Sequence, residues 1–342
     1  MPVMKIRENV PLSGYATMRL GGPARFLTEV KHQKDLVEAA NWALDQHLPI
    51  LVLGGGSNVI IRDEGFPGLV IVNHLKGFDI IEDTPDGAVV RIGAGEVWDE
   101  VVAHAVRKDL SGIEALSLIP GSAGATPVQN VGAYGQEIAD TFIELQAYDL
   151  ATRQIVTIKK EDCGFAYRTS IFKPMENRHY IILNITLGLF KDKPVPPFYP
   201  RLQEMLDAHH IKEYTPAVIR DAVIAIRNQR LPNPEKTPNT GSFFKNPIVS
   251  KWLAADLKAK YPDMPMHDMP DGQVKIPAGW LLEAAGFKNY ADYGMRTYAQ
   301  NALVFVNENA RNYQDLARFR DEISQVIQSR FSIKLEQEPE LI

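Results

Sequence analysis

The stretch that decides the fold is IPGSAGATPVQNVGAYG, residues 119–135. It is rich in glycine, and its polar members, Ser122, Thr126, Gln129 and Asn130, are uncharged. Ordering such a backbone costs conformational entropy, so we expect a large, flat ligand to order it. A flavin is such a ligand, and Gln129 and Asn130 would face the polar edge of its ring. The alternative is a long surface loop, but long loops within compact domains are usually functional.

A second glycine cluster, LGGGSN at residues 53–58, follows an apolar run that is typical of a buried strand. Consecutive glycines let backbone N–H groups approach an anion such as a diphosphate, and Ser57 and Asn58 add donors. The spacing matches neither the dinucleotide fingerprint GxGxxG nor the P-loop with its lysine. A bare turn is therefore an equally good interpretation of these residues alone.

Composition limits the classes of protein and partner. The 342 residues are enough for roughly two or three domains. A formal charge of -5 gives no basic footprint for nucleic acid, and the single cysteine, Cys163, allows neither an intrachain disulfide nor a cysteine metal cluster. The opening MPVMKIRENVPLSGY lacks the apolar core of an export signal, and the apolar run from Tyr180 is too short to cross a membrane. We expect a cytoplasmic protein with no metal, nucleic-acid or membrane partner.

The proline-rich stretch KDKPVPPFYP, residues 191–200, separates two differently patterned halves. Before it, β-branched runs and glycine clusters alternate with two amphipathic helices, one from Lys34 and one from Val97. Its four prolines disfavour a regular helix. We therefore predict one domain over residues 1–192, with subdomains of roughly 1–75 and 76–192, and a second domain over 193–342.

The second half has an α+β pattern. A helix is predicted from Thr215 as N-cap with Pro216 at its first position, and a helix AGWLLEAAG is predicted to end at a Gly286 cap. A short strand is expected at SFFKN, a helix near 250–260, and a last strand at FSIKLEQE.

Some chemically useful side chains are scattered along the chain: Tyr167 and Arg168 in AYRTSIF, Ser242 and Lys245 in GSFFKNP, and Glu338 in LEQE. Taken singly, each is ordinary, because a surface ion pair, a turn or a solvated acid explains it. Period-two alternation predicts that Ser242 and Asn246 lie on one side of a strand with Phe244, while Phe243 and Lys245 lie on the other. Ser242 and Asn246 would then face one ligand.

The order of motifs resembles that of the UDP-N-acetylenolpyruvoylglucosamine reductase family. The matching stretches run from about Tyr15 to Glu338: LGGGSN, IPGSAGATPVQNVGAYG, YRTSIF, GSFFKNP, AGWLLEAAGFK and LExE. No single motif is specific, but their combination is. The resemblance implies an α+β chain with an FAD-binding fold of the vanillyl-alcohol oxidase and p-cresol methylhydroxylase type, made of two α/β subdomains. A C-terminal α+β substrate-binding domain follows.

The resemblance also implies a reaction. The family reduces the enolpyruvyl ether of UDP-N-acetylglucosamine to UDP-N-acetylmuramate, using NADPH through FAD, in peptidoglycan precursor synthesis. It implies that hydride arrives from flavin N5, that Ser242 protonates the α-carbon, and that Arg168 and Glu338 hold the carboxylate. Glu338 is preferred to Glu340 because it is the second acid of LExE. A cation beside developing negative charge acts as an oxyanion hole does.

Binding residues follow from the same resemblance. Those implied for FAD are Gly54, Gly55, Gly56, Ser57, Asn58, Ile119, Pro120, Gly121, Ser122, Thr126, Gln129, Asn130 and Arg227. Those implied for the substrate are Tyr167, Tyr199, Arg230, Asn246 and Lys288, with Tyr199 as a lid over the UDP moiety. Residues 54–58 and 121–126 contain no histidine, cysteine or tyrosine, so we expect non-covalent FAD. We also expect a monomer.

Two other interpretations stay open. The first is an FAD-dependent oxidase or dehydrogenase of an alcohol or sugar on the same fold, which would need a basic residue near flavin N5. The second is a non-catalytic flavin-binding or nucleotide-sugar-binding protein, which would not need Arg168, Ser242 and Glu338.

Overall fold

The computed structural model describes residues 5–173 and 179–342. The N-terminal stretch that we expect to carry no export signal begins with residues 1–4, which lie outside the described residues. The helices are α1 (Gln33–Asp45), α2 (Trp98–Arg107), α3 (Ile138–Thr141), α4 (Pro200–Ala208), α5 (Pro216–Arg230), α6 (Lys251–Lys260), α7 (Ala278–Ala284) and α8 (Tyr313–Phe331). The strands are β1 (Arg7–Pro11), β2 (Pro23–Val30), β3 (Ile50–Leu53), β4 (Val59–Ile60), β5 (Phe66–Asn73), β6 (Phe78–Asp83), β7 (Gly87–Gly93), β8 (Gly132–Ala133), β9 (Gln136–Glu137), β10 (Phe142–Asp149), β11 (Gln154–Lys159), β12 (Tyr180–Phe190), β13 (Asn239–Ser242), β14 (Ile248–Val249), β15 (His267–Asp268), β16 (Val274–Lys275), β17 (Ala291–Asp292), β18 (Met295–Tyr298), β19 (Asn301–Asn307) and β20 (Glu340–Leu341).

The chain forms two compact units. The first unit consists of the chain up to Val10 together with Ala24–Gly55 and Phe66–Arg227. The second unit consists of Pro11–Pro23, Gly56–Gly65 and Asn228–Ile342. The predicted boundary after residue 192 thus differs from the division of the structure, which falls after Arg227 and assigns two early segments to the second unit.

The first unit contains two sheets. In one, the order is β1-β2-β5-β3, with β5 parallel to both β2 and β3. In the other, the order is β11-β10-β12-β7-β6, and each neighbouring pair is antiparallel. The predicted helices at Lys34 and Val97 are confirmed as α1 and α2. Their apolar faces, spaced three and four residues apart, are buried in two separate clusters.

Helices α4 and α5 explain why the first unit extends beyond the proline-rich stretch. Leu202 and Leu206 of α4 pack with Ile219 and Val223 of α5 in one buried cluster that also contains Ala115. Removing these side chains from water ties both helices to the first unit. The cap of α5 is as predicted, because Val218 N donates to Thr215 Oγ1 over 3.2 Å. Helix α4 itself was not predicted.

The second unit has a four-stranded sheet, β13-β19-β18-β17, and a three-stranded sheet, β14-β16-β15. Helices α6, α7 and α8 share with the strands one hydrophobic cluster, which includes Phe305, Phe319 and Ile323. The predicted helix near 250–260 is confirmed as α6. The Gly286 cap is also confirmed, since Gly286 adopts φ +96° and its N–H donates to Glu283 O.

Two predictions for the second unit are wrong. Phe243 and Phe244 do not alternate, because β13 ends at Ser242 and both rings enter the same core, against Phe305. FSIKLEQE is not a strand: α8 runs through Phe331, and the last strand is β20, which pairs in parallel with the two-residue β4. Glu338 therefore precedes the last strand.

None of the helices in the described part of the chain combines the length and apolar character needed to cross a membrane.

Candidate functional site

The two glycine loops predicted from sequence meet within the first unit. An added Cβ at Gly54 would overlap Ser122 Oγ and lie 2.9 Å from Ser122 Cβ, while one at Gly55 would lie 3.0 Å from Gly121 Cα. Both glycines are therefore required for the close approach of the two loops, whatever binds beside them. Two segments far apart in the sequence thus form one surface.

A cavity of about 120 Å³ adjoins this contact. It is lined by Gly54 from the first loop, by Ser122 and Gly124 from the second, and by residues of β3, β5 and β12, among them Asn73 and Tyr180. The cavity is smaller than a whole cofactor pocket, but its glycine backbone and uncharged lining suit one part of a neutral ring system.

Other members of the second loop are held by the loop itself. Ser122 and Thr126 are buried, and Thr126 Oγ1 donates to Ala123 O over 2.7 Å. Ile119 packs against the core of the antiparallel sheet, whereas Pro120 is exposed. Much of the loop is thus packed into the first unit and does not project from its surface.

Residues 56–58 of the first loop belong to the second unit. Gly56 adopts φ +61°, and an added Cβ would overlap Tyr15 O, so glycine is required there for a conformational and a steric reason. Asn58 O accepts a hydrogen bond from Glu340 N over 2.9 Å. Ser57 lies between them and is half-buried.

Arg227, one of the residues implied for FAD, lies in a charged cluster of the first unit. It is half-buried near Asp99, and Tyr134 hydrogen-bonds to it. Its Nε atom is buried and has no hydrogen-bond partner among the described residues. Burial lowers the pKa of Arg227, although Tyr134 and Asp99 oppose this effect. A cation with a buried, spare donor fits an anionic ligand.

Asp99 organises that cluster. It pairs with Arg220 through two hydrogen bonds of 2.6 and 3.0 Å, and it accepts a third from Leu118 N at the start of the glycine loop. Burial alone would raise the pKa of Asp99, but these hydrogen bonds and the charges of Arg220 and Arg227 lower it below its usual value. Asp99 thereby joins α2, α5 and the loop. No pattern in the sequence had indicated this residue.

Asn130 does not present its side-chain amide to a ligand in the way predicted. It is 1% exposed, and its Nδ2 donates to Glu137 Oε2 over 2.7 Å and to Ala166 O over 3.2 Å. Its Oδ1 accepts from Ala139 N over 3.2 Å. The amide is therefore engaged within the protein, while the neighbouring Gln129 is half-buried.

Arg168 lies beside the same loop. Its NH2 donates to Gly132 O over 2.8 Å, and its guanidinium carbon lies 5.3 Å from the centre of the Tyr167 ring. Its backbone is left-handed, with φ +55°. Residues other than glycine are uncommon in this region of backbone conformation, and surrounding contacts usually hold them in it.

Ser242 and Glu338 come together in the second unit. Glu338 N donates to Phe243 O over 2.9 Å, and Phe244 pairs with Gln337 in an antiparallel bridge. Both Ser242 and Glu338 are half-buried. The two residues are far apart in the sequence, so only the fold places the hydroxyl and carboxylate on neighbouring segments. Arg168 belongs to the first unit.

The residues implied for the substrate have varied settings. Tyr199 is 47% exposed at the start of α4 and meets the Tyr134 ring edge-on at 5.9 Å. Arg230 is the last residue of α5 and is half-buried. Asn246 accepts a hydrogen bond from Ala278 N over 2.9 Å, at the start of α7, and so supports a helix with its carbonyl. Lys288 is exposed.

Comparison with known families identifies both parts of the chain. A model of the FAD binding domain matches residues 24–159. A model of the UDP-N-acetylenolpyruvoylglucosamine reductase C-terminal domain matches residues 233–342. The predicted α+β fold, with an FAD-binding domain followed by a second domain, is thereby confirmed.

Similar proteins align with nearly the whole chain. UDP-N-acetylenolpyruvoylglucosamine reductase of Ralstonia nicotianae is 38% identical over 97% of this chain and 98% of its own length. The protein of the same name from Amoebophilus asiaticus is 38% identical over 99% of this chain and 100% of its own length.

Solved structures show the same fold. The crystal structure of the Thermus caldophilus reductase is 24% identical with a TM-score of 0.68 and covers 99% of both chains. 6-Hydroxy-D-nicotine oxidase of Arthrobacter nicotinovorans is 12% identical with a TM-score of 0.50, over 97% of this chain and 86% of its own.

The fold, the joined glycine loops and the matched domain define an FAD-containing oxidoreductase. Within that class, the chain belongs to the UDP-N-acetylenolpyruvoylglucosamine reductase family.

Proposed function

We propose that this protein reduces the enolpyruvyl ether of UDP-N-acetylglucosamine to UDP-N-acetylmuramate, with NADPH as reductant and FAD as cofactor, in peptidoglycan precursor synthesis. One observation carries the proposal. The chain joins an FAD-binding domain to the reductase's C-terminal domain and is 38% identical to named reductases over nearly its full length.

The glycine loops and Arg227 are proposed to hold FAD without a covalent bond. Their support is the contact of Gly54 with Ser122, the adjoining cavity, and the buried Arg227 Nε that lacks a partner among the described residues. FAD held there would supply two-electron redox chemistry between NADPH and the enolpyruvyl double bond. The remaining task of the protein is to stabilise the resulting negative charge and protonate one carbon.

Ser242 is proposed as the proton donor to the α-carbon. A hydroxyl is an adequate acid for this step because a carbanion is strongly basic. Phe243 and Phe244, at 0% and 1% exposed, exclude water from the core beside Ser242. Such packing limits proton transfer from bulk water, which would lack stereochemical control.

Arg168 and Glu338, the latter in its protonated form, are proposed to hold the substrate carboxylate as its enediol-like form develops. Arg168 has a planar fork of donors that can bind a carboxylate with two hydrogen bonds, whereas lysine offers only a point charge. Glu338 is supported by its backbone hydrogen bond to Phe243 O, directly after Ser242.

Tyr167, Tyr199, Arg230, Asn246 and Lys288 are proposed to bind the rest of the substrate, with Tyr199 as a lid. The exposure of Tyr199 and its edge-on contact with Tyr134 support a ring that can exchange one aromatic neighbour for a ligand. We further propose that the enzyme acts in the cytoplasm as a monomer. The formal charge of -5 supports a protein without a nucleic-acid partner.

An anaerobic experiment in two steps tests the proposed function. NADPH should bleach the bound flavin, and the enolpyruvyl UDP-sugar should then restore its colour. If the sugar does not restore the colour and oxygen admitted afterwards does, the result would favour the oxidase interpretation. A purified protein that binds no flavin would favour the non-catalytic interpretation.

A Ser242→Ala variant tests the role of the hydroxyl. Bleaching by NADPH should be nearly unchanged, and restoration by the sugar should slow by roughly 10²–10⁴-fold, the usual scale for losing a general acid. Ser329→Ala, on an exposed turn of α8, is the matched control and should behave as the wild type. Equal slowing of both steps would reject Ser242 as the proton donor.

A further inference from the structure

We propose that Asn130 is a positioning residue for Arg168. Asn130 fixes the turn that carries the Arg168 guanidinium, and Glu137 holds the Asn130 amide in place. This inference rests on the proposed function, because it assigns Arg168 to the substrate carboxylate. It also replaces the expectation that the Asn130 amide faces the flavin ring.

Three hydrogen bonds join the glycine loop to the segment containing Arg168. Ser170 Oγ donates to Val128 O over 2.8 Å. Asn130 Nδ2 donates to Ala166 O over 3.2 Å, and Arg168 NH2 donates to Gly132 O over 2.8 Å. Residues 128, 130 and 132 therefore each contact one residue of the stretch 166–170. Asn130 makes the central contact.

The backbone around Arg168 is a tight turn whose two ends are paired. Ala166 and Thr169 exchange backbone hydrogen bonds of 3.1 and 3.2 Å, and Lys173 Nζ donates to Arg168 O over 3.1 Å. Arg168 itself adopts φ +55°, which is unfavourable for an arginine and persists where neighbouring contacts impose it. The hydrogen bond from Asn130 to Ala166 O is one such contact, at the entry to the turn.

The asparagine side chain matches the polar groups at this position. Its Nδ2 faces two acceptors, Glu137 Oε2 and Ala166 O, and its Oδ1 faces the donor Ala139 N. An aspartate of the same size would keep the last contact but place its carboxylate against two acceptors. Since Asn130 is 1% exposed, water has little access to relieve that conflict.

Glu137 keeps the Asn130 amide oriented. Glu137 is the N-cap of α3: its side chain accepts from the backbone of Asp140, and Asp140 Oδ2 accepts from Glu137 N over 2.7 Å. A Cβ added at Gly132 would lie 2.9 Å from Glu137 Cγ and 3.3 Å from Arg168 NH1, so both side chains crowd the same glycine. We call Asn130, Glu137 and Ala166 the brace. The brace and the Arg168 guanidinium thus lie in one small region.

The test is Asn130→Asp, with Asn184→Asp as the matched control. Asn184 Nδ2 donates to Gln146 Oε1 on the antiparallel sheet, within the same unit but outside the brace. For Asn130→Asp, we expect NADPH to bleach the flavin at close to the wild-type rate. Restoration of colour by the enolpyruvyl UDP-sugar should slow by about 10- to 100-fold, the scale of a misplaced positioning group. The control should match the wild type in both steps.

A binding measurement separates positioning from general damage. The enolpyruvyl UDP-sugar carries the carboxylate proposed to meet Arg168, whereas UDP-N-acetylglucosamine lacks it. Asn130→Asp should weaken binding of the first by about tenfold or more and leave binding of the second within about twofold, because only the first uses the guanidinium. Equal weakening of both ligands, or loss of flavin, would overturn the inference.

A double variant, Asn130→Asp with Glu137→Gln, tests which contact matters. The glutamine amide introduced by the second substitution can donate to the carboxylate introduced by the first. The pair is then restored with reversed polarity, but Ala166 O still lacks its donor. We expect Asn130→Asp to lower thermal stability, and the double variant to regain part of it while the second step stays slow. Full recovery of that step would show that the Ala166 contact is dispensable and refute the inference.

A crystal structure of Asn130→Asp gives a readout that does not depend on the proposed function. The guanidinium should leave Gly132 O, while an unmoved guanidinium would reject the brace. If instead wild-type protein fails to reduce the enolpyruvyl sugar, the proposed function fails and this structural result still decides the inference.

Discussion

Replacement of Gly54 by alanine tests whether the contact between the two glycine loops supports cofactor binding. The new methyl group would overlap Ser122 Oγ and lie 2.9 Å from Ser122 Cβ. Ordinary contact between carbon atoms needs about 3.5–4.0 Å, so one loop must move by about 0.6–1.1 Å or more. Overpacking of this kind costs about 1–3 kcal/mol.

That cost should appear in the affinity for FAD, because the displaced loops line the adjoining cavity. At 1.4 kcal/mol per tenfold change, about 1–3 kcal/mol corresponds to a loss of about 5- to 150-fold. The assay is titration of the flavin-free protein with FAD, followed by quenching of flavin fluorescence, with thermal unfolding measured in parallel.

Other glycines provide a graded series. At Gly55 the nearest contact of an added Cβ, with Gly121 Cα, is 3.0 Å, so Gly55→Ala should have a smaller effect. At Gly14 an added Cβ meets nothing within 4 Å among the described residues, so Gly14→Ala should bind FAD as the wild type does. Adding Ser122→Ala to Gly54→Ala removes the overlap with the hydroxyl and should restore part of the affinity. Wild-type affinity and stability in Gly54→Ala would refute the reasoning.

Two further predictions concern titratable groups. Asp99 has a lowered pKa in the folded protein, so its contribution to stability is present above its unfolded pKa of about 3.9 and is lost as the pH falls through the folded value. Asp99→Asn should therefore lower the free energy of unfolding at pH 7, and the difference from wild type should shrink towards pH 3; a constant difference in urea titrations would contradict this. Burial, with the charges of Asp162 and Glu161, raises the pKa of Cys163 to about 12. The Cys163 thiol should therefore resist alkylation at pH 8 until the protein is unfolded, and rapid labelling of the native protein would contradict this prediction.

The candidate site was predicted unevenly from sequence. The glycine loops were identified because glycine-rich turns between strands are a local signal. The structure adds one role that the sequence did not predict. Gly54 and Gly55 are required for contact between the two loops, and spacing along the chain does not indicate such a contact. Asp99 and Glu137 were missed because their partners lie in other segments. A capping pattern at Glu137 and Asp140 was the only local signal among them.

The sequence by itself determined the helices that have clear amphipathic faces and caps, such as α1, α2 and α5, because their periodicity and end signals are local. Its ordered set of motifs also determined the family. Only the tertiary structure decided that α4 and α5 belong to the first unit, that Phe243 and Phe244 enter one core, and that the Asn130 amide is engaged within the protein. Burial and hydrogen bonding depend on residues brought together from distant parts of the chain, so a local pattern cannot specify them.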